Sequence, residues 1–410
     1  MSKSSGAPLG YATSQVSSKM PDQKDSGPIT SGVPNGAPDD IVVDNRNPSG
    51  RDDRPQHKRS PKGRSRRSRK KRAPVYAALD LGTNNCRLLI AKPIRDSFKV
   101  IDSYSKVVRL GEGLAATGRL AEANVELAVE AIKAAKQKMT DKRVSRWRCV
   151  ATQACRQAEN GEEFLQRVKD ETGISLEVIS PRVEARLSVM GCLNLIDTQK
   201  DIVLVVDIGG GSTEISWVDA RKLRDTGRLE RVHRPPISAW ASLPVGVVTL
   251  SEQVPETEDR EAWYNELKNI VRSHVKATGA DMRFTKTFIS GRGHIIGTSG
   301  TITSLASIYL DLPYYQRDRV DGLWLNSSNA LKVARNMAAI TPEERAAIPS
   351  IGRDRSTMLV AGCAIVDVLC EYWPCERMRV ADRGLREGIL LGLMGQSQVV
   401  KTSNSGGSSS

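Results

Sequence analysis

The chain has 410 residues, of which 39% are hydrophobic and 26% are charged, and its formal net charge is +14. This composition is ordinary for a globular protein, and the length allows two domains with cores of their own. No stretch approaches the roughly 18 consecutive apolar residues of a membrane-spanning helix, and the first residues lack the apolar core of a secretory signal. We therefore expect a cytoplasmic protein without a membrane span, whose seven cysteines are free, mostly buried thiols rather than disulfides or zinc ligands.

The N-terminal segment 1–73 is rich in Ser, Gly, Pro, Asp and Asn and has no apolar periodicity, which predicts a disordered tail. Residues 58–72 (KRSPKGRSRRSRKKR) hold ten Lys or Arg residues and no acid. Such a run can contact a polyanion such as nucleic acid, polyphosphate or anionic lipid, although a solvated tail is the plainer interpretation. The small polar residues at 399–410 predict a second, flexible tail.

Order is predicted to begin with a buried strand at 75–79, a turn at 80–85 and a second strand at 86–91. Apolar residues at helical spacing predict a helix over 120–139. The elements predicted next are strands at 149–151 and 176–179 and helices from 153, over 162–169 and over 183–195.

The opening pattern then returns, because a continuous apolar strand at 202–206 is followed by a glycine-rich turn and a strand at 214–218. The sequence strand, Asp-x-Gly turn, strand thus occurs twice, at Asp80 and at Asp207, 127 residues apart. This spacing indicates an internal repeat of one supersecondary unit. The elements predicted after it are a helix at 260–275, a strand near 286–289, a glycine-rich turn at 297–300 and further helices to the end.

The first turn, DLGTNNCR at 80–87, carries groups that can wrap a phosphate. Gly82 permits a tight turn, and Asp80 lies at a strand end, where it could bind a metal ion or a metal-bound water. A plain β-hairpin is the competing interpretation of this turn taken alone. The donors expected at its tip are hydroxyl, amide and backbone N–H groups of Thr83, Asn84 and Asn85.

The second turn, DIGGGSTE at 207–214, is more specific. Asp207 and Glu214 place carboxylates at its two ends, and such ligands suit Mg²⁺. Two Asp-x-Gly hairpins together could grip both sides of a phosphate chain. The residues expected to leave room for phosphate or to donate to it are Gly209, Gly210, Gly211, Ser212 and Thr213.

A third turn, GTSGT at 297–301, precedes a helix predicted to begin at Ile302. Backbone N–H groups at a helix N-terminus bind anions, although a helix start with Ser and Thr caps would read the same way. The candidate phosphate-binding residues here are Gly297, Thr298, Ser299 and Gly300.

These motifs together resemble the exopolyphosphatase / guanosine pentaphosphate phosphatase (Ppx/GppA) family of the actin–Hsp70–sugar kinase superfamily, in a short form without a C-terminal HD-like domain. The resemblance implies an α/β fold with two ribonuclease-H-like domains, at 74–200 and 201–398, flanking a cleft. The segments that carry it are DLGTNNCRLLIA (80–91), ATQACRQAENG (151–161), EARL (184–187), VDIGGGSTEIS (206–216), GTSGT (297–301) and DRGLREGIL (382–390).

The resemblance also assigns roles that the residues alone do not. An isolated helical Glu184 or Arg156 is more often a surface residue, yet the family pattern makes Glu184 the catalytic glutamate and Arg156 a phosphate-contacting arginine. It places phosphate-binding or metal-binding roles on Asp80, Gly82, Asp207, Gly209, Gly210 and Glu214. Pro181 and Val183 depart from the Gly and Glu that many relatives carry near this motif.

The implied activity is release of terminal orthophosphate from inorganic polyphosphate by water that Glu184 activates, with Mg²⁺ held by Asp207 and helped by Asp80 or Glu214. Guanosine pentaphosphate presents the same terminal phosphoanhydride and is the alternative substrate. An ATP-dependent sugar kinase and a non-catalytic polyphosphate or nucleotide sensor are the remaining readings, and the intact carboxylates argue against the sensor. The sequence leaves a homodimer open.

Overall fold

The structure is a computed structural model that describes residues 73–95, 97–229, 232–280 and 282–405. Residues 1–72, which include the basic run 58–72, and residues 406–410 lie outside the described residues, so the tails predicted there remain predictions. The strands are β1 (Tyr76–Leu81), β2 (Asn85–Ile94), β3 (Ser97–Val107), β4 (Arg146–Ala151), β5 (Glu177–Val178), β6 (Ile202–Ile208), β7 (Thr213–Asp219), β8 (Ile237–Leu243), β9 (Gly293–Thr298), β10 (Trp324–Asn326) and β11 (Arg377–Ala381).

Helices fill most of the connections between the strands. They are α1 (Leu114–Thr117), α2 (Glu122–Asp141), α3 (Gln153–Gln157), α4 (Gly161–Thr172), α5 (Pro181–Cys192), α6 (Val247–Gln253), α7 (Arg260–Ala277), α8 (Thr285–Ile289), α9 (Gly300–Tyr309), α10 (Arg317–Val320), α11 (Ser327–Ala339), α12 (Pro342–Ala346), α13 (Arg353–Tyr372) and α14 (Leu385–Ser405).

The first sheet has the strand order β3-β2-β1-β4-β5, with β1 antiparallel to β2 and parallel to β4. Side chains alternate between the two faces of β1. Ala77 and Leu79 belong to a core shared with α2 and α4, and Tyr76 and Ala78 belong to a second core on the opposite face.

The second sheet has the order β10-β11-β9-β6-β7-β8, with β6 antiparallel to β7 and parallel to β9. Reading it from β8 gives the order of the first sheet, followed by the extra edge strand β10. Even the hairpin turns match, because the Gly82 N–H donates to the Asn85 carbonyl at 2.9 Å and the Gly209 N–H donates to the Ser212 carbonyl at 2.9 Å. The predicted α/β fold with two ribonuclease-H-like sheets and an internal repeat is therefore confirmed.

Two helices lie where the two sheets meet. Helix α5 follows the first sheet and contributes Leu187 and Met190 to its second core, while Val189 and Cys192 pack with β6 and β9 of the second sheet. Helix α14 returns to the first sheet, since Leu385, Ile389, Leu390 and Met394 pack in that same second core. The sequence-based boundaries gave 201–398 to the second domain and 399–410 to a tail. The structure differs because apolar residues of α14 are buried on the first sheet. The helix also continues to Ser405.

The strand predicted near 286–289 is wrong. These residues form α8, in which only Phe288 is buried, and the strand is β9, whose six residues are all buried. A short apolar run cannot by its pattern be told from a buried helical turn. The strands that went unpredicted include β3, which is largely exposed, and β10, which has three residues.

Within the described ranges, none of the helices combines the length and the apolar character needed to cross a bilayer. All seven cysteines are free thiols, and all but the half-buried Cys375 are buried, as the sequence predicted.

Candidate active site

The tips of the two repeated hairpins lie against each other, and the glycines of the second make this approach feasible. A Cβ atom on Gly210 would lie 2.8 Å from Thr83 Cβ, and one on Gly211 would lie 1.9 Å from Gln153 Oε1. Neither residue has a positive φ. These glycines therefore make room for protein groups of the first half, whereas the sequence suggested only that they clear space for phosphate.

Asp80 lies near the end of β1, directly opposite Arg87 on β2. Its Oδ1 atom is buried and has no hydrogen-bond partner among the described residues, and the same holds for Oδ1 of Asn84. Burial raises the pKa of Asp80 to about 6, although the charges of Arg87 and Arg386 oppose the rise. A buried acceptor without a donor is costly, so these two oxygens mark a place where a ligand could complete the site.

Some of the donors expected in the first turn are used within the protein. The Thr83 hydroxyl donates to Gln153 Oε1 at 3.0 Å, and the Gly82 N–H donates to the Asn85 carbonyl. The backbone carbonyls of Thr83 and Asn84 accept from the loop at 108–111. The first turn is therefore braced from within, while the side-chain Oδ1 atoms of Asp80 and Asn84 have no hydrogen-bond partner among the described residues.

In the second hairpin Asp207 faces Glu214 across the β6–β7 ladder. The Ser188 hydroxyl donates to Asp207 Oδ2, and the Ser242 hydroxyl donates to Glu214 Oε1 at 2.8 Å. Burial and the Asp207 charge raise the pKa of Glu214 to about 7, and burial also raises the pKa of Asp207. Two carboxylates that repel each other in this way would both gain from a bound cation.

The hydroxyls of Ser212 and Thr213 in this turn have different partners. Ser212 is hydrogen-bonded to Glu214, which helps to keep that carboxylate charged. Thr213 is fully buried and donates to the Val245 carbonyl at 2.7 Å, so its side chain braces the hairpin and is not directed at a ligand.

Glu184 stands in the first turn of α5, which begins at Pro181 after the N-cap Ser180. Its side chain is buried, with 8% of the residue exposed. Arg156 Nη1 lies 3.4 Å from Glu184 Oε2 and donates to the Ile179 carbonyl at 2.7 Å. Burial, followed by the charges of Glu214 and Asp207, raises the pKa of Glu184 well above its ordinary value.

The third turn reaches the same edge of the second sheet, because Thr298 at the end of β9 pairs with Asp207. Helix α9 begins at Gly300, two residues earlier than predicted, and the N-cap Ser299 accepts from the Ile302 N–H at 3.5 Å. Gly297 is needed for packing, since a Cβ there would lie 2.7 Å from the Ile302 side chain. The N-terminus of α9 thus lies beside the second hairpin.

Three residues of the candidate site, Arg87, Arg386 and Ser188, were not predicted from the sequence. The charges of Arg87 and Arg386 act on both Asp80 and Asp207, and burial together with Arg386 lowers the pKa of Arg87. Both arginines lie in segments that carry the family resemblance, at 80–91 and 382–390. The pairing expected for a hairpin with its turn at 82–85 could have placed Arg87 opposite Asp80. Ser188, the donor to Asp207, carried no signal beyond its position one turn after Glu184.

The carboxylates of the candidate site fit a Mg²⁺ ion that takes only one or two ligands from the protein. The part of the chain that the structure describes holds no cluster of three His, Cys, Asp or Glu side chains close enough to bind an ion together. Mg²⁺ usually takes one or two carboxylates and completes its shell with water and substrate phosphates. Asp207 and Glu214, with raised pKa values, and Asp80, with an unpartnered buried oxygen, are consistent with that pattern.

A model of the Ppx/GppA phosphatase family matches residues 89–397, which leaves the tip of the first hairpin outside the matched range. Exopolyphosphatase 2 of Mycobacterium tuberculosis is 27% identical over 78% of this chain and 98% of its own length. A guanosine-5'-triphosphate,3'-diphosphate pyrophosphatase of Aeromonas salmonicida is 26% identical over 79% of this chain but only 60% of its own length.

A crystal structure of the Ppx/GppA family member of Aquifex aeolicus superposes with a TM-score of 0.63 at 29% identity, over 80% of this chain and 98% of that one. The family match covers well over half of the chain, and the structural match spans both sheets. The chain therefore belongs to the Ppx/GppA phosphatase family, whose members hydrolyse phosphoanhydride bonds.

Proposed function

We propose that this protein releases terminal orthophosphate from inorganic polyphosphate, with Glu184 as the general base. The observation that carries the proposal is the burial of Glu184 beside Asp207 and Glu214, whose charges help to raise its pKa. A general base is most effective when its pKa approaches the working pH. An ordinary exposed glutamate would be a much weaker base.

In the proposed reaction Glu184 takes a proton from a water whose oxygen attacks the terminal phosphorus. The bond to the bridging oxygen breaks, orthophosphate leaves, and the chain becomes one phosphate shorter. Arg156 orients the Glu184 carboxylate, from which it lies 3.4 Å. Arg87, Arg386 and the N–H groups at the start of α9 stabilise negative charge on the phosphoryl oxygens.

Mg²⁺ would be held by Asp207, with Glu214 or Asp80, and would neutralise phosphate charge as a Lewis acid. Phosphoryl transfer depends mainly on positioning and on such charge stabilisation. The pairing of Asp207 with Glu214 and the unpartnered oxygen of Asp80 support these residues as the ligands.

Guanosine pentaphosphate is the second candidate substrate, because the Aeromonas relative is named for hydrolysis of that class of nucleotide. Polyphosphate is favoured because the exopolyphosphatase relative is matched over more of its own length. The match spans 98% of the length of the exopolyphosphatase relative and 60% of that of the nucleotide-hydrolysing one.

The test is phosphate release by the purified protein with Mg²⁺, offered long-chain polyphosphate, guanosine pentaphosphate and ATP in parallel. We expect Glu184→Gln to lower the rate by about 10²–10⁴-fold, the contribution of a positioned general base. Glu162→Gln is the matched control, since Glu162 occupies the first turn of α4 but is exposed.

Full activity of folded Glu184→Gln would contradict the assignment of the base. Phosphate release from guanosine pentaphosphate alone would show that the nucleotide, and not polyphosphate, is the substrate. No release from either, by folded protein, would favour a sensor, and ATP consumption only in the presence of a sugar would favour a kinase.

A further inference from the structure

Helix α5 directs two buried polar side chains toward the active site. Glu184 and Ser188 are four residues apart, so they lie on the same face of the helix, one turn from each other. They are 8% and 1% exposed. The proposed function uses the first of them and leaves the second without a role.

Ser188 makes a hydrogen bond that is unusual for a serine inside a helix. Such hydroxyls commonly donate to the carbonyl four residues earlier. Ser307 does so to Thr303 at 2.8 Å, and Ser251 does so to Val247. The Ser188 hydroxyl instead donates to Oδ2 of Asp207, on β6 of the second sheet.

The surroundings of Ser188 fix its helix in place. A Cβ on Gly191 would lie 2.0 Å from the Gly384 carbonyl oxygen, so α5 packs directly on the backbone at the start of α14. The Cys192 thiol also donates to the Arg383 carbonyl at 3.4 Å. A Cβ on Gly384 would lie 2.8 Å from Thr298 Oγ1 and 4.0 Å from Ser188 Oγ, so the glycine leaves the two hydroxyls uncrowded.

We propose that Ser188 is a positioning residue that holds one oxygen of Asp207 and thereby directs the other oxygen to the cation that carries the substrate phosphates. Because Glu184 is on the same helix face, this hydrogen bond also fixes the base relative to Asp207, the carboxylate that would hold the cation. The proposal rests on the metal-binding role of Asp207 in the proposed function. Residues that orient a ligating carboxylate typically contribute about 10–100-fold to metal affinity or activity.

The test is the affinity of the purified protein for Mn²⁺ alone, measured by titration calorimetry or by the EPR signal of the free ion, without substrate. We expect Ser188→Ala to bind Mn²⁺ about 10–100-fold more weakly and to need correspondingly more Mg²⁺ for half-maximal activity. Ser307→Ala is the matched control, because it removes a hydroxyl that is equally buried but bonded to its own helix.

A double-mutant cycle with Asp207→Asn shows whether Ser188 acts through Asp207. We expect the double variant to bind Mn²⁺ no more weakly than Asp207→Asn alone. If the two losses add in full, or if Ser188→Ala binds Mn²⁺ as the wild type does while Asp207→Asn does not, the positioning role is overturned and the proposed function stands. If Asp207→Asn also binds normally, the metal assignment itself is wrong and the role of Ser188 falls with it. Equal melting temperatures of Ser188→Ala and Ser307→Ala separate either result from a folding defect.

Discussion

The two hairpins of this protein are copies of one unit, 127 residues apart, and they differ in charge at the residue opposite each aspartate. In the first hairpin Asp80 faces Arg87 across the ladder, and in the second Asp207 faces Glu214. Arg87 and Glu214 occupy equivalent places in the repeat. Residues directly opposite on antiparallel strands are close neighbours, so this one difference sets the charge of each hairpin.

The two hairpins therefore differ in charge although they share one backbone structure. The charge of Arg87 lowers the pKa of Asp80 against the effect of burial, whereas the charge of Asp207 adds to burial in raising the pKa of Glu214. In the proposed function, the first hairpin would present the Arg87 guanidinium to phosphate, and the second would present an acidic pair to a cation.

The largest effect that distinguishes the hairpins should be on catalysis. We expect Asp207→Asn to lower the rate of phosphate release by about 10²–10³-fold, because a Lewis acid contributes several kcal/mol to the transition state. We expect a smaller loss, about tenfold, for Asp80→Asn, which leaves the acidic pair intact. The measurement is steady-state phosphate release at saturating Mg²⁺ for both variants.

Equal losses in the two variants would contradict this difference in role between the hairpins, since both would then hold the cation to the same degree. Asp170→Asn, on the exposed face of α4, serves as the control for a lost carboxylate.

The second effect is on the pH dependence of stability in metal-free buffer. The pKa values of Asp80 and Glu214 are raised by burial from 3.8 to about 6 and from 4.5 to about 7. Between the ordinary and the raised values the folded state binds more protons than the unfolded state, so the free energy of unfolding falls as pH rises. A shift of two units corresponds to about 3 kcal/mol.

Urea unfolding from pH 4 to pH 8 tests this expectation. Asp80→Asn should remove the part of the decline that ends near pH 6, and Glu214→Gln the part that ends near pH 7. Both variants should therefore be more stable than the wild type at pH 8, and Mg²⁺ should restore wild-type stability there if the carboxylates bind it. A wild-type curve that is flat over this range would show that the burial of the two carboxylates carries no such cost.

The repeat could be predicted from the sequence because it depends on local patterns, and the two-domain fold followed from the resemblance of those motifs to a known family. Apolar runs before Asp80 and Asp207 mark β1 and β6, and the Asp-x-Gly turns mark the hairpins. The edge strands could not be predicted, since β3 is mostly polar and β10 is short, and their conformation comes from pairing with a neighbour.

The site was predicted in part: the motifs themselves indicated Asp80, Asp207 and Glu214, whereas Glu184 and Arg156 were assigned by the resemblance alone. The carboxylates stand in local motifs, but some of the groups that act on them are distant in sequence. Ser188 meets Asp207 only through the packing of α5, and Arg386 acts on Asp80 only because α14 returns to the first sheet. Long-range packing of this kind leaves no periodic signal in a single sequence.

The smallest effect concerns the glycines of the two turns. Gly210→Ala would place a Cβ 2.8 Å from Thr83 Cβ, near the main chain of the first hairpin, where a side chain cannot swing away. We expect a loss of about 1–3 kcal/mol in the free energy of unfolding, as is usual for overpacking a tight contact. Gly82→Ala would meet only the Asn85 carbonyl oxygen, at 3.6 Å, and its φ is not positive.

Gly82→Ala should consequently be neutral or stabilise the protein by about 0.4–1 kcal/mol, through the reduced freedom of the unfolded chain. Urea unfolding of the two variants at one pH measures the difference. A similar cost for both would mean that backbone conformation, and not the contact between the hairpin tips, requires glycine in these turns. A cost confined to Gly210→Ala would establish that position 210 requires glycine because Thr83 of the first turn packs against it.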